Sequence, residues 1–234
     1  MATRRRPPDT LVLLVRHGAT PTTGRVLPGQ APGLHLSDAG LRQAEGVAER
    51  LAGVRVAGLY TSPLERAVET AAPSAAATGL AAAEDAGLLE CDFGEWTGET
   101  LSGLYHRKEW RALLASPSTF RFPGGESLAE LQARVVATLE RLRTVHAGAT
   151  VVCFSHADPI RAALTFAMGA HLDSFHRVSV STGSVSAIRY PADAAPVVLT
   201  VNSLHGPLSE LAPNPRVSRR TPRDAPSDSI PDEA

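Results

Sequence analysis

The 234-residue chain is short of lysine, cysteine, aromatic side chains and long apolar runs, and each shortage excludes something. Lys108 is the only lysine, so nearly all positive charge is arginine. With 23 basic against 24 acidic residues the formal net charge is -1. No excess of either sign points to nucleic acid or to an anionic membrane surface. Two cysteines, Cys91 and Cys153, have no metal-ligand spacing and are too few for a disulfide framework, which suits a reducing compartment. Arg4-Arg5-Arg6 would suit the start of a signal peptide. The apolar run behind it covers only residues 11–15 before Arg16 and His17 interrupt it, too short for a secretory core or a membrane span. The expected location is the cytoplasm. The remaining balance, 43% hydrophobic and 20% charged, suits one globular α/β domain.

What is present starts with Leu11-Val12-Leu13-Leu14-Val15-Arg16-His17-Gly18. The apolar run is too short for an ordinary helix and reads as a buried parallel strand. Arg16 and His17 then stand at its C-terminal end, where open α/β sheets place ligands, and Gly18 lets the backbone turn. A lone His on a strand is usually structural, so the case rests on what else converges there. Residues 21–34 read as loop. Ser37 reads as an N-cap, with Leu41, Ala44, Val47 and Leu51 at helical spacing and Gly53 as a stop. A second strand over 56–60 ends at Thr61-Ser62-Pro63. Ser62 is expected to cap the next helix, with Pro63 at its first position and Arg66 in its first turn. Pro73 is expected to kink or end that helix early.

Glu90, Asp92, Glu95 and Glu99 crowd a short Gly-containing stretch that reads as exposed loop. Six of the eleven aromatic residues lie within 93–122, which implies either a lid over a pocket or an ordinary accessory core. Arg107, Lys108, Arg111 and Arg121 accompany them and would suit a small phosphorylated metabolite with an apolar or sugar part. Ser127 and Glu130 form a capping box that opens the clearest helix, closed by Gly148. A buried strand over 151–154 stops at Ser155-His156-Ala157-Asp158-Pro159. Pro159 is expected to start the next helix, with Asp158 as its N-cap or as a reader of a polar or cationic substrate group. Strands are expected over 184–190 and 197–201, and 206–234 reads as a disordered tail.

Parallel strands with helical crossovers bring Arg16, His17, Arg66 and His156 to one sheet edge. Two guanidiniums and imidazoles suit a dianionic tetrahedral oxyanion. A neutral imidazole is a competent nucleophile, and nearby cations keep it deprotonated. A carboxylic acid must then protonate a leaving alcohol, and Glu90 is the candidate, with Asp92 and Glu95 as substitutes. This set needs no metal.

These residues match a known pattern. Leu14-Val15-Arg16-His17-Gly18-Ala19-Thr20, Ser62-Pro63-Leu64-Glu65-Arg66, Leu89-Glu90, Pro123-Gly124-Gly125-Glu126-Ser127 and Ser155-His156 occur in the order found in the histidine phosphatase superfamily. The chain resembles its phosphoglycerate mutase-like branch, and is most similar to an actinobacterial phosphomutase-like subgroup of undefined substrate. The resemblance implies a three-layer α/β sandwich, a mostly parallel central sheet with helices on both faces, over residues 1–205. It implies His17 as a nucleophile forming phosphohistidine and Glu90 as acid and base. Arg16, Arg66 and His156 would hold the phosphoryl group, with no cofactor. Thr23 stands where the family often has Asn and is a candidate phosphate contact. Ala19 replaces a frequent Glu. The expected activity is metal-independent hydrolysis of a small phosphomonoester. Phosphomutase chemistry with the same residues, or a non-catalytic phosphate-binding module, is the alternative. A homodimer is also compatible with the sequence. The other histidines, His176 included, read as surface or packing residues.

Overall fold

The computed structural model describes residues 8–212. Residues 213–234 of the expected tail lie outside those residues. The chain order is β1 (Thr10–Arg16), α1 (Asp38–Arg50), β2 (Val56–Thr61), α2 (Glu65–Thr78), β3 (Ala82–Glu84), α3 (Leu101–Leu104), α4 (Lys108–Ala115), α5 (Leu128–Val145), β4 (Thr150–Ser155), α6 (Ala157–Ala167), β5 (Val185–Tyr190) and β6 (Val197–Ser203), with short 3-10 turns between. The sheet order is β3-β2-β4-β1-β5-β6. The first four of these run parallel, and β5 is antiparallel to both β1 and β6. This is the mostly parallel α/β architecture that the alternation of strands and helices implies.

The strand β1 explains the layering. Its side chains alternate between two cores, so Val12 and Leu14 join one cluster and Leu11, Leu13 and Val15 the other. The first core is closed by α5, α6 and the aromatic segment; the second by α1 and α2. All five side chains are at most 1% exposed, each worth roughly 1.5–3 kcal/mol of burial. Register pairs Arg16 with Ser155, so the ends of β1 and β4 arrive together. That pairing sets His17 and His156 side by side.

Four local expectations are corrected. Ser62 does not cap α2: the helix begins at Glu65 after Leu64, which offers no side-chain cap. Pro73 does not end it early, since α2 runs to Thr78. An internal proline removes one backbone bond, but burial of Ala67, Thr70, Ala71 and Ser74 holds the helix on both sides of it. The helix after β4 starts at Ala157 with His156 at the cap position, so Asp158 is inside its first turn and not its N-cap. Finally, Leu208 lies past the expected end of the folded region, yet it is buried in the second core.

Candidate active site

The site is built where β1 ends. Gly18 must be glycine for lack of room: a Cβ there would sit 2.5 Å from the Gly40 carbonyl oxygen, and one on Gly40 would sit 2.1 Å from that of Ala19. This close approach clamps the turn onto the start of α1. The Ser37 amide and hydroxyl both donate to the Ala19 carbonyl at 2.9 and 3.0 Å. Gln43 accepts from the Ala19 amide at 2.8 Å, and Thr70 of α2 accepts from the Gly18 amide at 3.0 Å. Four residues from three segments therefore fix the backbone that carries His17.

His17 is 5% exposed. Its Nδ1 lies 2.7 Å from the Gly18 carbonyl oxygen. A carbonyl can only accept, so Nδ1 carries the proton and Nε2 keeps its lone pair. Burial first, then Arg16 and Arg66, push its pKa down to about 3, so the ring is neutral at physiological pH. His156 is fully buried with its ring centroid 5.2 Å from that of His17. Burial and the same arginines depress its pKa as well. Its Nε2 meets the Ser62 hydroxyl at 2.8 Å, while Nδ1 is buried with no partner among the described residues.

Arg66 is a fully buried guanidinium. One of its nitrogens donates to the Gly29 carbonyl at 2.7 Å; Nε and Nη1 have no partner among the described residues. Arg16 donates to the Val180 carbonyl at 2.7 Å, and its Nε is likewise buried and unmatched. Each unmatched buried donor costs on the order of 1–3 kcal/mol, more when charged. Several together near two imidazoles are the signature of an anion site.

Glu90 is 7% exposed and accepts from the Cys91 amide at 2.9 Å. Burial, then the charge of Asp158, push its pKa up to about 7 against the pull of Cys91, Arg66 and Arg16. Arg134 of α5 holds the backbone on which Glu90 sits. It donates to the carbonyls of Gly87 at 3.0 Å and Leu89 at 3.1 Å, and is itself fixed by Glu126 at 2.9 and 3.0 Å. Sequence reasoning did not single out Arg134. The substitutes Asp92 and Glu95 do not line the cavity beside His17. Asp92 accepts from the Gly94 amide at 3.0 Å and shapes its own turn.

Arg16, His17, Thr23 and Glu90 line one cavity of about 400 Å³, with Arg66 and His156 buried behind its His17 side. Thr23 is placed at the cavity, but its hydroxyl already accepts from the Thr20 amide at 2.8 Å. The aromatic segment does face the cavity: Phe93, Tyr105, Trp110 and Phe122 line it. Its cations do not. Arg107 pairs with Glu99 and Arg121 with Glu130, and neither they nor Lys108 and Arg111 border the cavity. Arg161 and His176 border it instead, from α6 and the 3-10 turn Leu172–Arg177. His176 was read as a packing residue because nothing near it in sequence announces chemistry.

A model of the histidine phosphatase superfamily (branch 1) matches residues 12–203. The chain belongs to that superfamily. It is 34% identical over 207 residues to a bifunctional protein of Mycobacterium tuberculosis, an alignment covering 84% of this chain and 55% of the relative. The chain thus spans about half the length of the first curated relatives it matches. It is 32% identical over 169 residues to phosphoserine phosphatase 1 of Hydrogenobacter thermophilus, covering 71% of this chain and 80% of that protein. Among solved structures, a phosphoserine phosphatase variant of Entamoeba histolytica in complex with phosphoserine superposes with a TM-score of 0.76 at 25% identity, covering 83% of this chain and 98% of that one. The fold is also that of a mycobacterial glucosyl-3-phosphoglycerate phosphatase, with TM-score 0.75, 23% identity and coverage of 83% and 99%. No helix among the described residues is long and apolar enough to cross a membrane.

Proposed function

We propose that the cavity hydrolyses a small phosphomonoester in two steps through a phosphohistidine at His17. The observation that carries this is the tautomer of His17: Nδ1–H is spent on the Gly18 carbonyl at 2.7 Å, which leaves Nε2 as the basic atom. In the first step Nε2 attacks phosphorus, the phosphorus–oxygen bond to the alcohol breaks, and Glu90 gives its proton to the departing oxygen. A carboxyl whose pKa is about 7 is half protonated near neutrality, which suits that role. In the second step Glu90, now ionised, takes a proton from water. The water oxygen attacks phosphorus, the phosphorus–nitrogen bond breaks, and inorganic phosphate leaves a neutral His17.

Arg16 and Arg66 offset charge on the phosphoryl oxygens as it moves, with their unmatched Nε and Nη1 donors as the contacts. His156 adds a third donor. With Ser62 donating to Nε2 at 2.8 Å, its Nδ1 keeps the proton and offers it to a phosphoryl oxygen. Thr23 lines the cavity; its hydroxyl accepts from the Thr20 amide and keeps its own O–H to donate to a phosphoryl oxygen. Positive charge is supplied by side chains, so the reaction is expected to run without a metal. The relatives named as phosphatases support the reaction class and leave the substrate open.

The test is turnover of p-nitrophenyl phosphate in excess chelator, wild type beside His17→Ala. Turnover that survives chelation and is lost in the variant is expected. Turnover retained by His17→Ala overturns the proposal.

A further inference from the structure

The walls of the cavity fall into two chemical groups. Arg16, His17 and Glu90 serve the phosphoryl group in the reading above. Asp158, Arg161 and His176, with Trp110 and Tyr105, are left over. They are the surface that an alcohol leaving group would meet.

We infer that Asp158, His176 and the Trp110 ring select a phosphomonoester whose alcohol is a neutral, hydroxyl-bearing ring. This rests on the cavity being a phosphomonoester site. The first support is the donor and acceptor inventory. The His176 ring is bonded to the Leu113 backbone, and its Nε2 is buried with no partner among the described residues. Burial lowers its pKa, so the ring is neutral. With Nδ1–H given to the Leu113 carbonyl, Nε2 is an acceptor. Asp158 is also an acceptor. Its Oδ1 is held by Arg161 at 2.9 Å, and Arg161 is in turn anchored by donating from Nε to the Val178 carbonyl at 3.0 Å. Two fixed acceptors call for donors, and hydroxyl groups on a ring supply them.

The second support is charge. The Asp158–Arg161 pair is neutral as a unit, so this wall has no free cation for a second anionic group such as a carboxylate. The same pairing weakens the pull of Asp158 on an ammonium group. The third is shape. Trp110 is braced by Trp96, centroids 6.1 Å apart and planes 26° apart, and Tyr105 packs edge-on at 5.0 Å. A rigid aromatic surface suits the flat C–H face of a sugar or the face of a base. A cavity of about 400 Å³ also has room for a ring beyond the phosphate. Sugar phosphates and nucleoside 5′-monophosphates share this chemistry.

The experiment measures kcat/KM of the full chain on ribose 5-phosphate, glucose 6-phosphate, adenosine 5′-monophosphate, phosphoserine, 3-phosphoglycerate and p-nitrophenyl phosphate. At least one hydroxylated ring phosphate is expected to exceed phosphoserine and 3-phosphoglycerate by about tenfold or more, since phosphoserine has no hydroxyl for these acceptors, and the carboxylate that both carry meets no free cation on this wall. The sugar and nucleotide arms show which ring is read. Asp158→Asn and His176→Gln are expected to reduce kcat/KM for that ring about tenfold more than for phosphoserine, an alkyl phosphate with the same need for the Glu90 proton and no hydroxyl to read. Preference for phosphoserine or 3-phosphoglycerate overturns the inference, as does an equal loss on all substrates in both variants. Wild-type preference decides the matter if a variant fails to fold. Absence of turnover on every phosphomonoester defeats the underlying reading, whereas turnover of p-nitrophenyl phosphate without ring preference defeats this inference alone.

Discussion

Replacing Glu90 with Gln keeps the shape of the side chain and removes its proton. The size of the effect follows from the environment of the carboxyl. At the usual pKa of about 4.5, well under 1% of it would be protonated at pH 7; at about 7, half is. Burial and Asp158 therefore raise the acid fraction by roughly two orders of magnitude over an exposed glutamate. General acid catalysis contributes typically about 10²–10⁴-fold. That contribution depends on the leaving group, because a poor alkoxide needs the proton in the transition state and a phenolate of low basicity needs it far less. Glu90→Gln is thus expected to cost about 10²–10⁴ in kcat on an alkyl phosphate and clearly less in the phosphorylation step on p-nitrophenyl phosphate. The assay is single-turnover rapid quench on both substrates, which isolates the first step from hydrolysis of the phosphoenzyme. The alkaline limb of kcat/KM in wild type, centred near 7, is the form with Glu90 ionised, so activity on alkyl phosphates falls as pH rises through that value. The limb should vanish in the variant. Equal losses on the two substrates would refute the assignment of Glu90 as the acid, and so would a limb that persists in Glu90→Gln.

Two further outcomes test the supports of the site. Arg134→Ala removes the cation that gathers the carbonyls of Gly87 and Leu89 and pairs with Glu126; kcat should fall about tenfold and stability by about 1–3 kcal/mol, read by steady-state kinetics and urea unfolding. Gly18→Ala forces a Cβ to within 2.5 Å of the Gly40 carbonyl, backbone against backbone; a loss of about 1–3 kcal/mol with near-complete loss of turnover is expected, and a fully active, fully stable variant would show that the clamp on the turn is unnecessary.

The elements with a strong single pattern were legible in the sequence. The strands β1 and β4 are unbroken apolar runs that end in polar residues, and α5 carries both its capping box and its 3.6-residue period. Those endings located Arg16, His17 and His156, and the end of β2 located Arg66, because the C-terminal edge of a parallel sheet is where such residues meet. The failures are equally physical. The three residues of β3, Ala82–Glu84, hold no alternation to read. Pro73 was judged by propensity, while burial along α2 decided the outcome. Arg134 and His176 act through partners, Glu126 and Leu113, that only the tertiary fold brings close. Two cations of the aromatic segment, Arg107 and Arg121, pair with Glu99 and Glu130 away from the cavity lining.

The central claim is a phosphoryl group carried on His17. The most direct measurement is rapid acid-free quench of wild type with a ³²P-labelled phosphomonoester, followed by peptide mass spectrometry of the labelled protein. The account predicts an acid-labile, alkali-stable phosphoryl group on Nε2 of His17, formed and lost at rates that match turnover. Label on any other residue, or turnover with no labelled intermediate at a quench time shorter than one cycle and undiminished in His17→Ala, would contradict it.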